Sequence, residues 1–408
     1  MNKARLLIFS SLFPSSVRPN AGLFVRERTF RLAKFYDLTV ISPVPWFPGQ
    51  GLIRLFKPDY RPMPALMETQ QGISVYYPRF FAIPGFGRNK DAASMARAAG
   101  ALVKKLHQQT PFALIDSHFS YPDGLAASSI AKTLAIPCTV TLRGTEVPHA
   151  SLPGRREQLL QCWRQASAMI CVSDSLKQHA IRLGADATKF TVVGNGIDTN
   201  KFTVMDKTQA RQQLGLPLDA KVLITVGGLV KRKGFHHVIN CMPTMVQQGL
   251  DVHYLVVGGA NAEGNYEPEL RSLTEQLGLT HRVHFLGALP PAALKQPLSA
   301  ADVFVLASAN EGWANVILEA MACALPVVAT DVGGNSEVVC QPELGLIVPL
   351  DDQAALQQAL SQALQTQWQP ELLTAYAKAN HWDLRILQLQ QLYQSLGVPS
   401  DPNSGAAP

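Results

Sequence analysis

Nothing in the 408-residue chain approaches the roughly 20 consecutive apolar residues of a membrane-spanning helix. The opening Lys3 and Arg5 precede only Leu6-Leu7-Ile8-Phe9, a run too short for a secretory core and lacking a cleavage signal, so it reads as a first buried strand. Cysteine is scarce: six residues, at 138, 162, 171, 241, 323 and 340, with no C-x-x-C pair. That pattern suggests neither a disulfide framework nor a zinc knuckle, and it fits a reducing cytoplasm. Metal ligands are equally thin. No D-x-D stands at a strand end, and neither His236-His237 nor His281 with His284 has further ligands at useful spacing. No Ser-His-Asp or Cys-His arrangement stands out, and no nucleic-acid-binding motif is recognised.

What is present points to a two-domain globular protein. Apolar residues make up 47% and aromatics 8%, and the length exceeds a usual single core, so two domains of roughly 200 residues are expected. The net charge of +6 is unevenly spread. Residues 1–110 hold 16 Lys and Arg against 5 Asp and Glu, so the basic part is the N-terminal region alone. Within it, Trp46-Phe47-Pro48, Leu52 to Lys57 and Arg79 to Lys90 interleave cations with apolar side chains. Two readings of these segments stand: a surface that rests on an anionic membrane, or ordinary loops with core aromatics and solvated charges.

Strand-like runs alternate with helical ones, which predicts parallel sheets covered on both faces. The first set is Leu6–Phe9, Leu38–Ile41, Ala113–Ser117, Cys138–Leu142, Ala168–Val172 and Phe190–Val193; the second is Val222–Val226, His253–Val257, Val283–Phe285, Val303–Leu306, Pro326–Ala329 and Gly345–Val348. Two doubly wound α/β domains facing a central cleft are expected, at 1–200 and 220–370. Between them, 201–219 loses periodicity and reads as a linker; 371–396 reads as helical, and 397–408 as a disordered tail.

The chemistry concentrates in Ser308-Ala309-Asn310-Glu311-Gly312-Trp313-Ala314-Asn315-Val316-Ile317-Leu318-Glu319. The apolar run Val303 to Ala307 places Glu311 and Gly312 on the loop at a strand's carboxyl end, the ligand-binding edge of open α/β sheets. Asn315 is the expected N-cap of a helix whose backbone N–H groups face an anion, with Glu319 about one turn in. A carboxylate before the helix, N–H donors at its tip and a second carboxylate inside it suit a ligand carrying phosphate and hydroxyls, such as a sugar nucleotide. An arbitrary pair of glutamates eight apart is usually a solvated helix face; the flanking Gly-Trp, Glu-Ala-Met-Ala and Pro-Val-Val-Ala-Thr strings argue otherwise here. Upstream, Gly227-Gly228-Leu229-Val230-Lys231-Arg232-Lys233-Gly234 sits between a strand and a helix and joins backbone freedom to three cations. Gly22 permits close backbone approach to a ligand, and His118 stands at a strand end.

These segments resemble the E-x7-E signature and accompanying motifs of retaining glycosyltransferases of family 4, along the whole chain. The resemblance implies the GT-B architecture of two Rossmann-like domains, with 371–396 crossing back to the first. It implies that Glu311 touches the transferred sugar and Glu319 the nucleotide ribose, with Gly312, Trp313, Ala314 and Asn315 beside the donor. Gly227 and Lys233 match the phosphate loop G-R-L-x-x-x-K-G, but Gly228 stands where the family has Arg, leaving Lys231 and Arg232 as auxiliary phosphate contacts. Gly22 would close over the donor phosphate, and His118 would contact the sugar near its reacting carbon. Arg143 and Glu146 stand where the family has H-G-x-D and are acceptor-side candidates; Gly194-Asn195-Gly196-Ile197-Asp198 matches its N-G-x-D segment. Ala324 replaces the family's glycine, which is tolerated unless that position requires positive φ.

The implied activity is metal-independent and cofactor-free transfer from a UDP- or GDP-sugar to a glycan or polyprenyl/lipid-linked acceptor. It is a hexosyltransferase-type reaction in which attack and departure share one face of the sugar, and Glu311 is no nucleophile. The resemblance places such an enzyme in exopolysaccharide, capsule or lipopolysaccharide assembly, and the basic N-terminal region suggests an acceptor held at the inner face of the membrane by a cytoplasmic, peripheral protein. Alternatives are a noncatalytic sugar-nucleotide-binding subunit, kept open by Gly228, and an epimerase of the same fold.

Overall fold

The computed structural model describes residues 3–57, 60–85, 87–261 and 263–400. It divides into two compact units, Met1–Asn195 with Arg385–Pro408, and Gly196–Leu384.

Unit 1 contains β1 (Arg5–Phe9), β2 (Asp37–Ile41), β3 (Val44–Trp46), β4 (Met67–Gln70), β5 (Ile73–Tyr76), β6 (Arg79–Phe81), β7 (Leu114–His118), β8 (Cys138–Leu142), β9 (Ala168–Cys171) and β10 (Phe190–Val192). Its eight-stranded sheet runs β10-β9-β8-β7-β1-β2-β5-β4, while β3 and β6 pair separately. All pairs are parallel except β4 with β5. Parallel strands are covered on both faces and so read as continuous apolar runs: Leu6, Leu7, Ile8 and Phe9 are all fully buried.

Unit 2 contains β11 (Lys221–Val226), β12 (Val252–Val257), β13 (Val283–Gly287), β14 (Val303–Leu306), β15 (Val327–Thr330) and β16 (Gly345–Val348). They form one sheet, β13-β12-β11-β14-β15-β16, parallel throughout. Alternate residues serve opposite faces. Val222, Ile224 and Val226 belong to one core cluster, Leu223 to the other.

In both units the chain order reverses beside the first strand, between β1 and β7 in unit 1 and between β11 and β14 in unit 2. Loops leaving the carboxyl ends of such neighbours diverge to opposite sides and open a crevice, the usual ligand site of this fold. His118 ends β7; the Gly227 loop follows β11; the Glu311 loop follows β14.

Two segments differ from expectation, while a third, 371–396, is helical and ends in unit 1. Residues 201–219 are no free linker, because the helix Lys207–Leu214 buries Ala210 in the unit 2 core. The segment 371–396 is two helices: Pro370–Ala379 puts Leu373 and Ala377 into the unit 2 core, whereas Trp382–Ser395 puts Ile386, Leu389 and Tyr393 into that of unit 1. Of the expected tail, Val398 is buried in the unit 1 core, and 401–408 lie outside the described residues.

Candidate active site

In unit 2 two neighbouring loops meet through an ion pair. Lys233 Nζ donates to Glu311 Oε1 at 2.5 Å, and Ser308 Oγ donates to the same oxygen at 2.7 Å. Both charged side chains are largely buried, at 15% and 9% exposure, so the pair is only weakly screened. The Lys233 loop is held by backbone bonds from Leu229 N to Gly259 O and from Tyr266 N to Leu229 O. The Glu311 loop is backed by Gly333, where φ is +56° and a Cβ would overlap the Glu311 carbonyl oxygen.

Arg232 does not point freely into the site. Its Nε and Nη2 each donate to Glu263 at 2.6 Å, and Nη1 reaches the Asn310 carbonyl. Hydrogen bonding to Glu263 raises the guanidinium pKa further. Lys231 is exposed. A Cβ at Gly228 would meet the end of the Asn261 side chain, so a larger residue there would require that amide to shift. The helix over Asn315–Ala322 is capped by Ala314 without a side-chain bond, so Asn315 is its first residue and not its N-cap. Trp313 Nε1 is buried without a hydrogen-bond partner. Glu319 lies in the helix's second turn, half-buried.

In unit 1, Gly22 (φ +68°) immediately precedes the helix Leu23–Leu32, packed so closely that a Cβ would strike the Leu12 carbonyl. His118 is fully buried. Its Nδ1 accepts from Arg143 Nε at 3.1 Å and lies 3.0 Å from Arg143 Nη2, while Arg143 Nη1 donates to Asn195 Oδ1 at 3.1 Å. Burial, with the positive Arg143 and Arg28 nearby, holds the imidazole well below its usual 6.5. Arg143 also stacks over Phe24, 5.0 Å from the ring centre. Glu146 accepts from Ser120 N and Oγ, Arg143 N and Gly144 N. Four bonds saturate the buried Glu146 carboxylate, whereas Arg143 engages the His118 ring and keeps part of its surface exposed.

Beneath these residues lies a network that sequence reasoning missed. Asp116 accepts from Thr139 Oγ1 at 2.9 Å, Tyr393 OH at 2.9 Å and Arg28 Nη2 at 3.2 Å, and Arg28 Nη1 reaches Thr141. Asp123 was also missed. Ser11 donates to it through both backbone N and Oγ, and burial lifts its carboxyl to about 7. The only sequence signal for either aspartate was a charge inside or just after an apolar strand. Among the described residues, no three His, Cys, Asp or Glu side chains gather to hold a metal.

Comparison with known proteins identifies the family. The model for glycosyl transferases group 1 matches residues 206–380, and that for Glycosyltransferase Family 4 matches 32–201. The chain belongs to glycosyltransferase family 4. The Bacillus subtilis (strain 168) protein TuaC, provisionally named a teichuronic acid biosynthesis glycosyltransferase, is 31% identical over 376 residues, covering 90% of this chain and 91% of the relative. Among solved structures, sucrose-phosphate synthase from Thermosynechococcus elongatus aligns with a TM-score of 0.76 at 22% identity, over 97% of this chain and 99% of that one. Anabaena HepE in complex with UDP aligns at 0.72 and 22% identity, over 96% and 100%. The fold is GT-B, and the transferase carries its two Rossmann-like sheets as units 2 and 1.

Proposed function

We propose that the transferase moves a sugar, with retention, from a nucleoside-diphosphate sugar to a glycan or lipid-linked acceptor in cell-surface polysaccharide synthesis. The observation that carries this reading is the Lys233–Glu311 pair, set on adjacent loops at the switch point of unit 2 beside a helix start. A diphosphate needs fixed positive charge as its bond to the sugar breaks. Lys233 supplies that charge, and the first-turn N–H groups of Asn315–Ala322 add to it. Glu311, released from Lys233 by the incoming phosphate, is free to hold a sugar hydroxyl, and Glu319 the ribose. The acceptor oxygen attacks the face from which the diphosphate leaves, whose oxygens take the acceptor's proton. No metal ion is called for. The relative TuaC supports a polysaccharide role, and HepE holds UDP in the same fold, which supports a nucleoside-diphosphate donor.

The basic region of unit 1 favours an acceptor held at an anionic membrane surface on the cytoplasmic side. The helix Gln50–Phe56 exposes Leu52, Leu55 and Phe56 at 67%, 75% and 87%, beside the exposed Trp46, Phe81 and Ile83. Lys57, Arg79, Arg88 and Lys90, from the same stretch of chain, are also exposed, while Phe86 lies outside the described residues. Exposed apolar side chains and cations together suit an anionic lipid surface. No helix among the described residues is long and apolar enough to cross a membrane.

A panel of UDP-, GDP- and ADP-sugars, scored for slow hydrolysis and thermal stabilisation, tests the reading. Nucleotide release from one donor, lost in Glu319→Gln, supports it; no response to any donor sinks it.

A further inference from the structure

We propose that Arg143 is a positioning residue that locks His118 into its Nε2-protonated, neutral form. This rests on the reading of His118 as a residue beside the sugar in the proposed transferase. The argument starts from the donor inventory. A guanidinium has only N–H donors and no lone pair to offer. Two of its nitrogens lie within 3.1 Å of His118 Nδ1, so Nδ1 must be the bare, accepting nitrogen and the ring proton must sit on Nε2. Nε2 is buried without a hydrogen-bond partner. It is thus the ring nitrogen that carries the proton, turned toward the buried Asp116.

The lock works against a competing pull. Nε2 lies 3.9 Å from Asp116 Oδ2, too far for a hydrogen bond but close enough to favour an imidazolium. Several groups oppose that charge. Arg28, from the helix Leu23–Leu32, neutralises Asp116, and Tyr393, from Trp382–Ser395, donates to the same carboxylate. Glu146 is bound to the backbone N–H groups of Arg143 and Gly144. Arg143 occupies the only other site of protonation. It is itself held from two sides, by Asn195 Oδ1 and the Phe24 ring, so its fork cannot swing off Nδ1 without breaking both contacts. Without the guanidinium, Nδ1 is free to take a proton, and the resulting cation is drawn closer to Asp116, 3.9 Å from Nε2, shifting His118 from its place at the end of β7.

The test is ¹⁵N-histidine NMR on the full chain without donor, with the His118 signal assigned by its loss in His118→Gln. In the wild type the signal should be that of a neutral Nε2–H ring, unchanged from pH 8 to 5.5. In Arg143→Ala it should titrate within that range. The kcat should fall about 100-fold, as for a misplaced reacting group, with a new acidic limb and a donor KM within about twofold of wild type. Arg143→Lys, which keeps charge and a donor, should restore much of the loss. If Arg143→Ala does not fold, Arg143→Gln fills the space without charge and should titrate likewise. A His118 signal that ignores both uncharged variants overturns the proposal, as does titration without loss of turnover. Failure of the wild type to use any sugar nucleotide would sink the proposed reaction instead, because the NMR result is read without donor.

Discussion

At the level of single residues, Lys233 and Glu311 were legible because they stand on loops after two apolar strands and match the motifs that carry the family resemblance. Their pairing was not. Removing the cation tests its part in donor binding: Lys233→Ala should weaken binding of UDP or the true donor about 10- to 100-fold by calorimetry, the range of one charge-assisted hydrogen bond. Ala324 is a second departure with a physical consequence. Its φ is +62°, a left-handed conformation that costs an alanine about 1–2 kcal/mol relative to glycine. Part of that cost is offset by the lower entropy of an unfolded alanine. Ala324→Gly should therefore stabilise unit 2 by about 0.5–1 kcal/mol, read as an increase in its unfolding midpoint.

At the level of elements, every strand of the two main runs was visible as apolar sequence, but the β4–β5 hairpin was not. Its loop is Gln71-Gly72, both at positive φ, as two-residue hairpin loops require. Glutamine rarely signals such a turn, whereas asparagine or aspartate would have. The helix Gln50–Phe56 carries its own prediction. Exposed side chains contribute little to folding, so Leu55→Ser with Phe56→Ser should leave the melting temperature within about 1 °C, by the usual tolerance of surface sites. Co-sedimentation with phosphatidylglycerol vesicles should fall more than about tenfold, since each buried apolar side chain supplies about 1.5–3 kcal/mol; unchanged binding would remove the membrane face from the proposal. On β12 and β13, His253 and His284 stack with Nδ1 and Nε2 2.9 Å apart. Burial depresses both pKa values below 6.5, despite Asp251 beside His253. The unfolded rings bind protons first as pH falls, so this contribution is intact above 6.5 and lost below it. The melting midpoint should drop between pH 7 and 5, and less steeply in His284→Gln.

At the level of the whole molecule, the chain returns to its first unit at the end. Tyr393 packs edge-on against Tyr36, with ring centres 5.8 Å apart, and donates to the buried Asp116. Tyr393→Phe removes one of the donors that hold that carboxylate and should destabilise unit 1 by about 1–3 kcal/mol, measurable as a lower denaturant midpoint. Ending the chain after Leu384 strips Ile386, Leu389 and Tyr393 from the core and should leave unit 1 open to protease. The periodicity of 371–396 showed helix without showing where its apolar face was buried, because an amphipathic pattern names a face and not its partner.

Sequence alone determined the class of fold, the family and the residues on the carboxyl-edge loops of both sheets. Apolar runs of strand length, glycine at close approaches and charges at strand ends are local signals that the chain carries at fixed spacing. Tertiary structure decided which of those charges are bound to one another. Arg232 is drawn to Glu263, Lys233 to Glu311, and Arg143 to His118. The linker became part of a core for the same reason. Pairing and burial depend on distances between residues far apart in the chain, and those distances exist only once the sheets have formed.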